Sequence, residues 1–238
     1  MKLQSALIAL FLSIINIYAI HADEARYTLN VANFNAITVV DGIGVDYYCN
    51  ADSAGWVVFT AKPELASKIS FSNNKEHLRV QTLADEEPLS GLPRVRIYSA
   101  SLRYAENSGD STVTINANVE VKKFTAKQIG NGKREIRSLN AEKLEGDAAA
   151  GNGQLSVDGK ADKTRLRNVG AGLIDASTLA SDEVACFVLG PGLIHVHAPG
   201  ELKITGAGPG KVINHAVAAK ISNRSIGVKV ESPGEAQP

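Results

Sequence analysis

The sequence is poor in several residue types that mark other classes of protein. Its 238 residues include two cysteines, one tryptophan and only 5% aromatic residues. Two cysteines are too few for a disulfide framework. Neither charge is in excess, because 25 basic residues balance 25 acidic ones. Nucleic-acid binders usually carry a basic excess, so this balance argues against a nucleic-acid partner.

Sequence motifs of catalysis are also missing. The chain has no nucleophile elbow, no H-E-x-x-H, no Walker loop and no C-x-x-C pair. We therefore predict no enzyme activity and no cofactor. If the protein is exported, a disulfide between Cys49 and Cys186 is permitted. The apolar residues around Cys186 are instead typical of a buried free thiol, and both alternatives stay open.

The N-terminal segment contains the one long apolar run. Lys2 precedes apolar residues from Leu7 to Ile20, and a small residue, Ala22, follows. This pattern predicts a signal peptide over residues 1–22, cleaved after Ala22. A membrane anchor is the alternative, but the run is short and lacks a positive stop-transfer flank. We expect an exported protein, periplasmic or extracellular, with no membrane span after cleavage.

A glycine repeat dominates the second half of the chain. The triplet Gly-x-Gly recurs at near-constant spacing at five positions, with intervals of 21, 19, 20 and 18 residues. The repeated glycines are Gly130 and Gly132, Gly151 and Gly153, Gly170 and Gly172, Gly190 and Gly192, and Gly208 and Gly210. Apolar and polar residues alternate after each triplet, as on a strand with one buried face. We interpret these glycines as structural, because glycine reaches positive φ and leaves room for a neighbouring backbone.

The repeat predicts an all-β fold, a right-handed parallel β-helix with about twenty residues per rung. A leucine-rich repeat has a similar length, but its L-x-x-L-x-L-x-x-N signature is missing. Two sets of inward-facing residues are expected, each forming one column. The first is Arg134, Leu155, Ile174, Ile194 and Val212, and the second is Leu144, Leu166, Val184 and Ile204.

The first half of the chain continues this pattern less regularly. Further strands are predicted at Trp56–Thr60, His77–Gln81, Val95–Tyr98 and Val113–Ile115, with turns at 72–74 and 86–88. No linker interrupts the sequence. We therefore predict one β-helix domain over residues 23–230, with roughly nine or ten rungs, and a loose tail over 231–238.

Three histidines of the last rungs form the clearest candidate site. In the predicted register His195 and His197 face outward on one strand, His215 stacks on His197, and Asp175 stacks on His195. Zinc or copper could use this spacing. A polar outer face that happens to be rich in histidine explains the same pattern and is preferred, so no metal is predicted.

Other polar and aromatic groups give weaker signals. Asp158 and Asp175 face outward on adjacent rungs, but in different columns and without a third carboxylate. Tyr47 and Tyr48 are adjacent on a strand and point to opposite faces, so they cannot form one sugar-stacking platform. Trp56 opens an apolar run and is interpreted as a core or cap residue.

The sequence resembles the putative auto-transporter adhesin head GIN domain family of exported bacterial proteins. The resemblance rests on F-x-A-I-x-V at Phe34–Val39, on Gly42-Ile43-Gly44-Val45 and on the Gly-x-Gly units, and extends over about 34–215. It implies a β-helical domain at the cell envelope, with no defined ligand. We therefore expect a non-enzymatic, adhesin-like binding or structural module, whose partner is an envelope or extracellular polysaccharide or protein. A carbohydrate-active enzyme on the same scaffold is the alternative.

Overall fold

The chain winds into a β-solenoid of about 6 turns, with roughly 20 residues between equivalent positions. The computed structural model describes residues 24–83, 90–117 and 120–233. The predicted signal peptide and the predicted turn at 86–88 lie outside the described residues. Parallel strands stacked at this repeat confirm the predicted fold class.

Strands account for nearly all regular structure in the described part of the chain. They are β1 (Ala25–Asn30), β2 (Ala36–Val40), β3 (Val45–Cys49), β4 (Trp56–Ala61), β5 (Ile69–Asn74), β6 (His77–Thr82), β7 (Val95–Ser99), β8 (Tyr104–Ser108), β9 (Thr112–Asn116), β10 (Glu120–Ile129), β11 (Lys133–Ala149), β12 (Gln154–Val169), β13 (Leu173–Ala180), β14 (Glu183–Leu189), β15 (Leu193–Val196), β16 (Glu201–Ala207), β17 (Lys211–Asn214), β18 (Lys220–Ile226) and β19 (Lys229–Glu231). One short helix, α1 (Pro63–Ala66), lies between β4 and β5.

The strands form two parallel ladders, each along one side of the solenoid. We call ladder A the order β6, β2, β8, β10, β11, β12, β14, β16 and β18. Ladder B is the order β7, β3, β9, β11, β12, β13, β15, β17 and β19. The long strands β11 and β12 belong to both ladders, because each turns a corner in its middle. Each ladder keeps one face inward and one face toward solvent.

The inward faces of the two ladders make the core. The first predicted column is confirmed, since Arg134 pairs with Leu155, and Ile174, Ile194 and Val212 follow in register. The second predicted column is wrong in its register. Leu144 pairs with Thr164, and Leu166 pairs with Cys186, so its members lie in two adjacent buried columns.

The N-terminal part is not a simple continuation of the repeat. Strand β2 pairs with both β6 and β8, so the coil of β2 and β3 lies between coils that come later in the chain. The pairs β1–β4, β4–β7 and β5–β6 are antiparallel and close this end of the solenoid. The regular, successive rungs therefore number about 6 rather than the expected nine or ten, although each ladder contains nine strands. The predicted turn at 72–74 is also wrong, because these residues belong to β5, and the turn uses Lys75 and Glu76 at φ 52 and 61.

Each Gly-x-Gly corner combines two demands on the backbone. The first glycine has positive φ, as at Gly190 with φ 104, a conformation that a side chain disfavours. The second has no room for a Cβ, as at Gly192, where a Cβ would lie 2.6 Å from the Asn168 side-chain nitrogen. Asn168 itself donates from Nδ2 to the carbonyl oxygens of Gly172, at 2.7 Å, and Leu193, at 3.1 Å. The corner is thus held together by an inward asparagine, which the sequence reasoning missed.

Arg134 is the one arginine at 0% exposure in the described core. Its Nε and both Nη atoms have no hydrogen-bond partner among the described residues. Burial lowers the pKa of the guanidinium to about 9, and the charges of Glu106 and Tyr104 offset only part of that effect. An unpaired buried charge is costly, so Arg134 weakens the core at the place where the next rung has Leu155.

Candidate binding groove

The predicted histidine cluster is only partly assembled. Asp175 pairs with His195 in ladder B, as predicted. His215 stacks on His195, with ring centroids 5.1 Å apart and Nδ1 of His195 2.8 Å from Nε2 of His215. The predicted contact of His215 with His197 is wrong. The reason is that the ladder ends at Val196, so side chains beyond it no longer follow the strand register.

The carboxylate of Asp175 accepts two hydrogen bonds from a residue of its own strand. The donors are the backbone nitrogen of Ser177, at 3.1 Å, and the side-chain hydroxyl of Ser177, at 2.6 Å. Partial burial would raise the pKa of Asp175, but these bonds and the nearby His195 and His215 outweigh it and hold the pKa below its usual range. In the described part of the chain, no three His, Cys, Asp or Glu side chains are arranged to hold a metal ion.

A groove of about 350 Å³ lies instead on the outer face of ladder A. Two neighbouring outward columns line it, and each column runs across successive strands at one register position. One column contains Thr125, Glu145, Arg165 and Ala185, and the other contains Lys127, Asp147, Arg167, Phe187 and Thr205. Because both columns cross several strands, the groove runs along the solenoid axis. This site was not predicted from the sequence.

The groove combines an aromatic ring with basic groups. The guanidinium of Arg167 lies 5.8 Å from the ring centroid of Phe187 and 3.2 Å from Asp147. Arg165 is exposed, and no partner for it is found among the described residues. The small side chain of Ala185 leaves space beside Phe187. The arrangement can stack a flat ring on Phe187 while Arg165 contacts an anionic group.

Both acidic residues of the groove are neutralised by bases. Glu145 lies 2.6 Å from Nζ of Lys123 and 2.8 Å from Nζ of Lys143. These two lysines hold the pKa of Glu145 below its usual range. Asp147 is paired with Arg167. The general acid of a glycosidase needs a raised pKa, so the groove has the opposite electrostatics.

The two cysteines are both free, so the predicted alternative of a disulfide is not formed. Cys186 is buried beneath the groove, and burial raises the pKa of its thiol to about 12. Cys49 is half-buried and donates from Sγ to the carbonyl oxygen of Ala100 at 3.1 Å. Neither thiol is an activated nucleophile.

The tyrosine pair behaves as the strand alternation predicts. Tyr47 is buried, and its hydroxyl lies 2.7 Å from that of Ser99. Tyr48 points outward and stacks on Tyr98, with centroids 5.5 Å apart. Trp56 is not a core residue, because it is 38% exposed on the antiparallel end of the solenoid. The outer surface therefore offers an aromatic pair whose second ring comes from a strand far along the chain.

Fold and surface together define a repetitive β-solenoid with polar, charged and aromatic groups on its outer faces. The chain belongs to the family described as putative auto-transporter adhesin, head GIN domain, whose model matches residues 33–216. No curated protein matches the sequence. Within the described part of the chain, no helix could cross a lipid bilayer.

Solved structures share the fold at low identity. A putative adhesin from Bacteroides fragilis superposes with a TM-score of 0.76 at 19% identity, covering 89% of this chain and 97% of that one. A putative adhesin from Parabacteroides distasonis gives 0.65 at 23% identity, covering 88% and 96%. A putative lipid binding protein from the same organism gives 0.70 at 17% identity, covering 89% and 97%. At these identities the likeness shows the fold.

Proposed function

We propose that the protein is an exported, non-enzymatic, adhesin-like module that binds an acidic polysaccharide along the groove of ladder A. The observation that carries the proposal is that the Phe187 ring and the unpartnered Arg165 both line one groove of about 350 Å³. Aromatic rings stack on sugar rings, and a guanidinium binds carboxylate or sulfate in bidentate fashion. The hydroxyls of Thr125 and Thr205 add hydrogen-bonding groups at the rim.

The geometry of the groove also suits an extended partner. Its two columns repeat at the ladder spacing of about 4.8 Å, so basic and hydroxyl groups recur along one line. A rigid repetitive face is typical of solenoid binding proteins. The family and the solved adhesins support the adhesin-like class. A carbohydrate-active enzyme is less favoured, because ion pairs occupy both Glu145 and Asp147.

Binding to an array of neutral and acidic glycans tests the proposal. Acidic glycans are expected to be retained, and both Arg165→Gln and Phe187→Ala should weaken retention by about tenfold, in line with a lost charge-assisted bond or stacking contact. Arg96→Gln is the matched control, since Arg96 is exposed on ladder B away from the groove. Equal binding by all variants would refute the groove. Release of reducing sugar from a bound glycan would refute the non-enzymatic class.

A further inference from the structure

An apolar ridge follows the corner that the glycine turns form. The last outward column of ladder A pairs six apolar residues in register, namely Ile129, Ala149, Val169, Leu189, Ala207 and Ile226. The larger side chains are the more open ones, with Leu189 at 45% and Ile226 at 78% exposure. A column of this kind is unusual on an outer face, where polar residues are expected.

The apolar surface continues around the corner. The middle residues of three turns, Ala171, Pro191 and Pro209, are exposed, and Leu173 and Leu193 begin the outer face of ladder B beside them. We call this set, together with the column above, the corner ridge. It is convex, because it occupies an outside corner of the coil. Its six rungs span five ladder spacings, or about 24 Å.

Basic residues border the corner ridge on both sides. The adjacent column of ladder A holds Lys127, Asp147, Arg167 and Arg224. On the other side, the column that contains Leu173 and Leu193 has Lys133 at one end and Lys211 and Lys229 at the other. These borders thus carry six bases and one acid, although the whole chain is neutral.

Ion pairs reduce this positive charge only in part. Arg167, Lys133 and Lys211 each pair with a carboxylate, but these pairs are on the solvent-exposed surface, where such contacts are weak. Arg224 and Lys229 have no partner among the described residues. The borders therefore favour an anionic partner.

We propose that the corner ridge binds the surface of an anionic lipid bilayer. A convex apolar edge with basic flanks can place its side chains at the acyl boundary and its charges at the headgroups. A second copy of the chain is less suited, because a two-fold contact would bring the same basic borders together. The corner ridge shares the border residues Lys127, Asp147 and Arg167 with the groove, but none of its apolar residues lines the groove, so this inference does not depend on the proposed polysaccharide.

Co-sedimentation with lipid vesicles tests the inference. The protein is mixed at low salt with vesicles of phosphatidylcholine alone or with added phosphatidylglycerol. We expect binding to the anionic vesicles, weakened by salt. Leu189→Thr with Ile226→Thr should lower the partition coefficient by about tenfold or more, since several buried methylene equivalents are removed. Arg224→Gln with Lys229→Gln should lower it by about tenfold on anionic vesicles only.

A matched control separates the ridge from general hydrophobicity. Val217 is 72% exposed and lies outside the ridge, so Val217→Thr should bind as the unmodified protein does. Circular dichroism and thermal unfolding check that each variant is folded. The inference is overturned if the unmodified protein ignores anionic vesicles, or if the Leu189→Thr, Ile226→Thr variant binds them equally well. A dimer that this variant abolishes, without vesicle binding, would assign the ridge to a second copy instead.

Discussion

The Asn168 side chain fills the space that a side chain on Gly192 would need, at the corner of two successive coils. A Cβ on Gly192 would lie 2.6 Å from Nδ2 of Asn168, and that nitrogen holds the carbonyl oxygens of Gly172 and Leu193. Gly192 in one coil therefore makes room for the side-chain amide of Asn168 in the coil before it. The glycine pair and the inward asparagine depend on each other.

A double-mutant cycle measures this dependence. Gly192→Ala should cost about 1–3 kcal/mol in free energy of unfolding, because the new methyl group overpacks the corner. Asn168→Ala should cost about 1–3 kcal/mol, because two carbonyl groups lose a donor. The double variant should be more stable than the sum by about 0.5–3 kcal/mol, since the clash is then removed. Chemical denaturation gives all three values, and strict additivity would contradict the shared space.

Arg134 offers a stabilising substitution. Arg134→Leu places in this coil the residue type that the next coil has at the paired position, Leu155. Replacing a buried charge by a well-packed apolar residue often stabilises by about 1–4 kcal/mol, and we expect a gain in this range. Thermal unfolding of both proteins at neutral pH tests it. A loss of stability would show that the guanidinium is paired in solution.

The pH dependence of the same pair of proteins gives an independent check. Burial lowers the pKa of Arg134 to about 9 from an ordinary value of 12.5. Between these two pH values the unfolded chain therefore binds more protons than the folded protein does. The free energy of unfolding of the unmodified protein should rise with pH over this range, relative to that of the variant. Below pH 9 the difference between the two should stay constant. Urea unfolding at pH 7, 9 and 10 measures it, and parallel curves throughout would contradict the lowered pKa.

The thiols predict a labelling pattern. Cys186 is buried with its pKa raised to about 12, so it should not react with a thiol reagent at pH 8 while the protein is folded. Cys49, which is half-buried, should react slowly, and both should react after unfolding. Ellman's reagent with Cys49→Ser as control counts them. Two blocked cysteines in the unfolded, unreduced protein would reveal a disulfide.

Much of the solenoid could be predicted because Gly-x-Gly triplets in the sequence mark its corners. Counting forward from each glycine pair gives ladder B in the right register, from Arg134 to Val212. Ladder A must be counted backward from the following pair. Phe124, Thr164, Val184 and Leu202 each lie six residues before a glycine pair, whereas Leu144 lies seven before because Ala150, at φ 55, is an extra corner residue. Forward counting therefore misplaced the second column.

The binding surfaces were less predictable for a different reason. The groove joins side chains from strands about one repeat apart, and each residue alone is an ordinary outward residue. The histidine cluster was anticipated where the ladder fixes the side chains, at Asp175 and His195, and missed where the ladder ends, at His215. The insertion of β2 between β6 and β8 has no signal in the repeat, because that part of the chain lacks it.

We expect that insertion to set the order in which the coils fold. Ser111 donates to the carbonyl oxygen of Ile43 across 68 positions of chain, whereas His195 and His215 are only 20 apart. Closing the longer loop has the larger entropic barrier, and non-local contacts slow folding. The C-terminal coils can therefore fold first. The N-terminal strands, although synthesised earlier, then pair with the exposed edge of the folded coils. Growth of the native structure would then proceed against the direction of synthesis, from the C-terminal half back to the N-terminal cap.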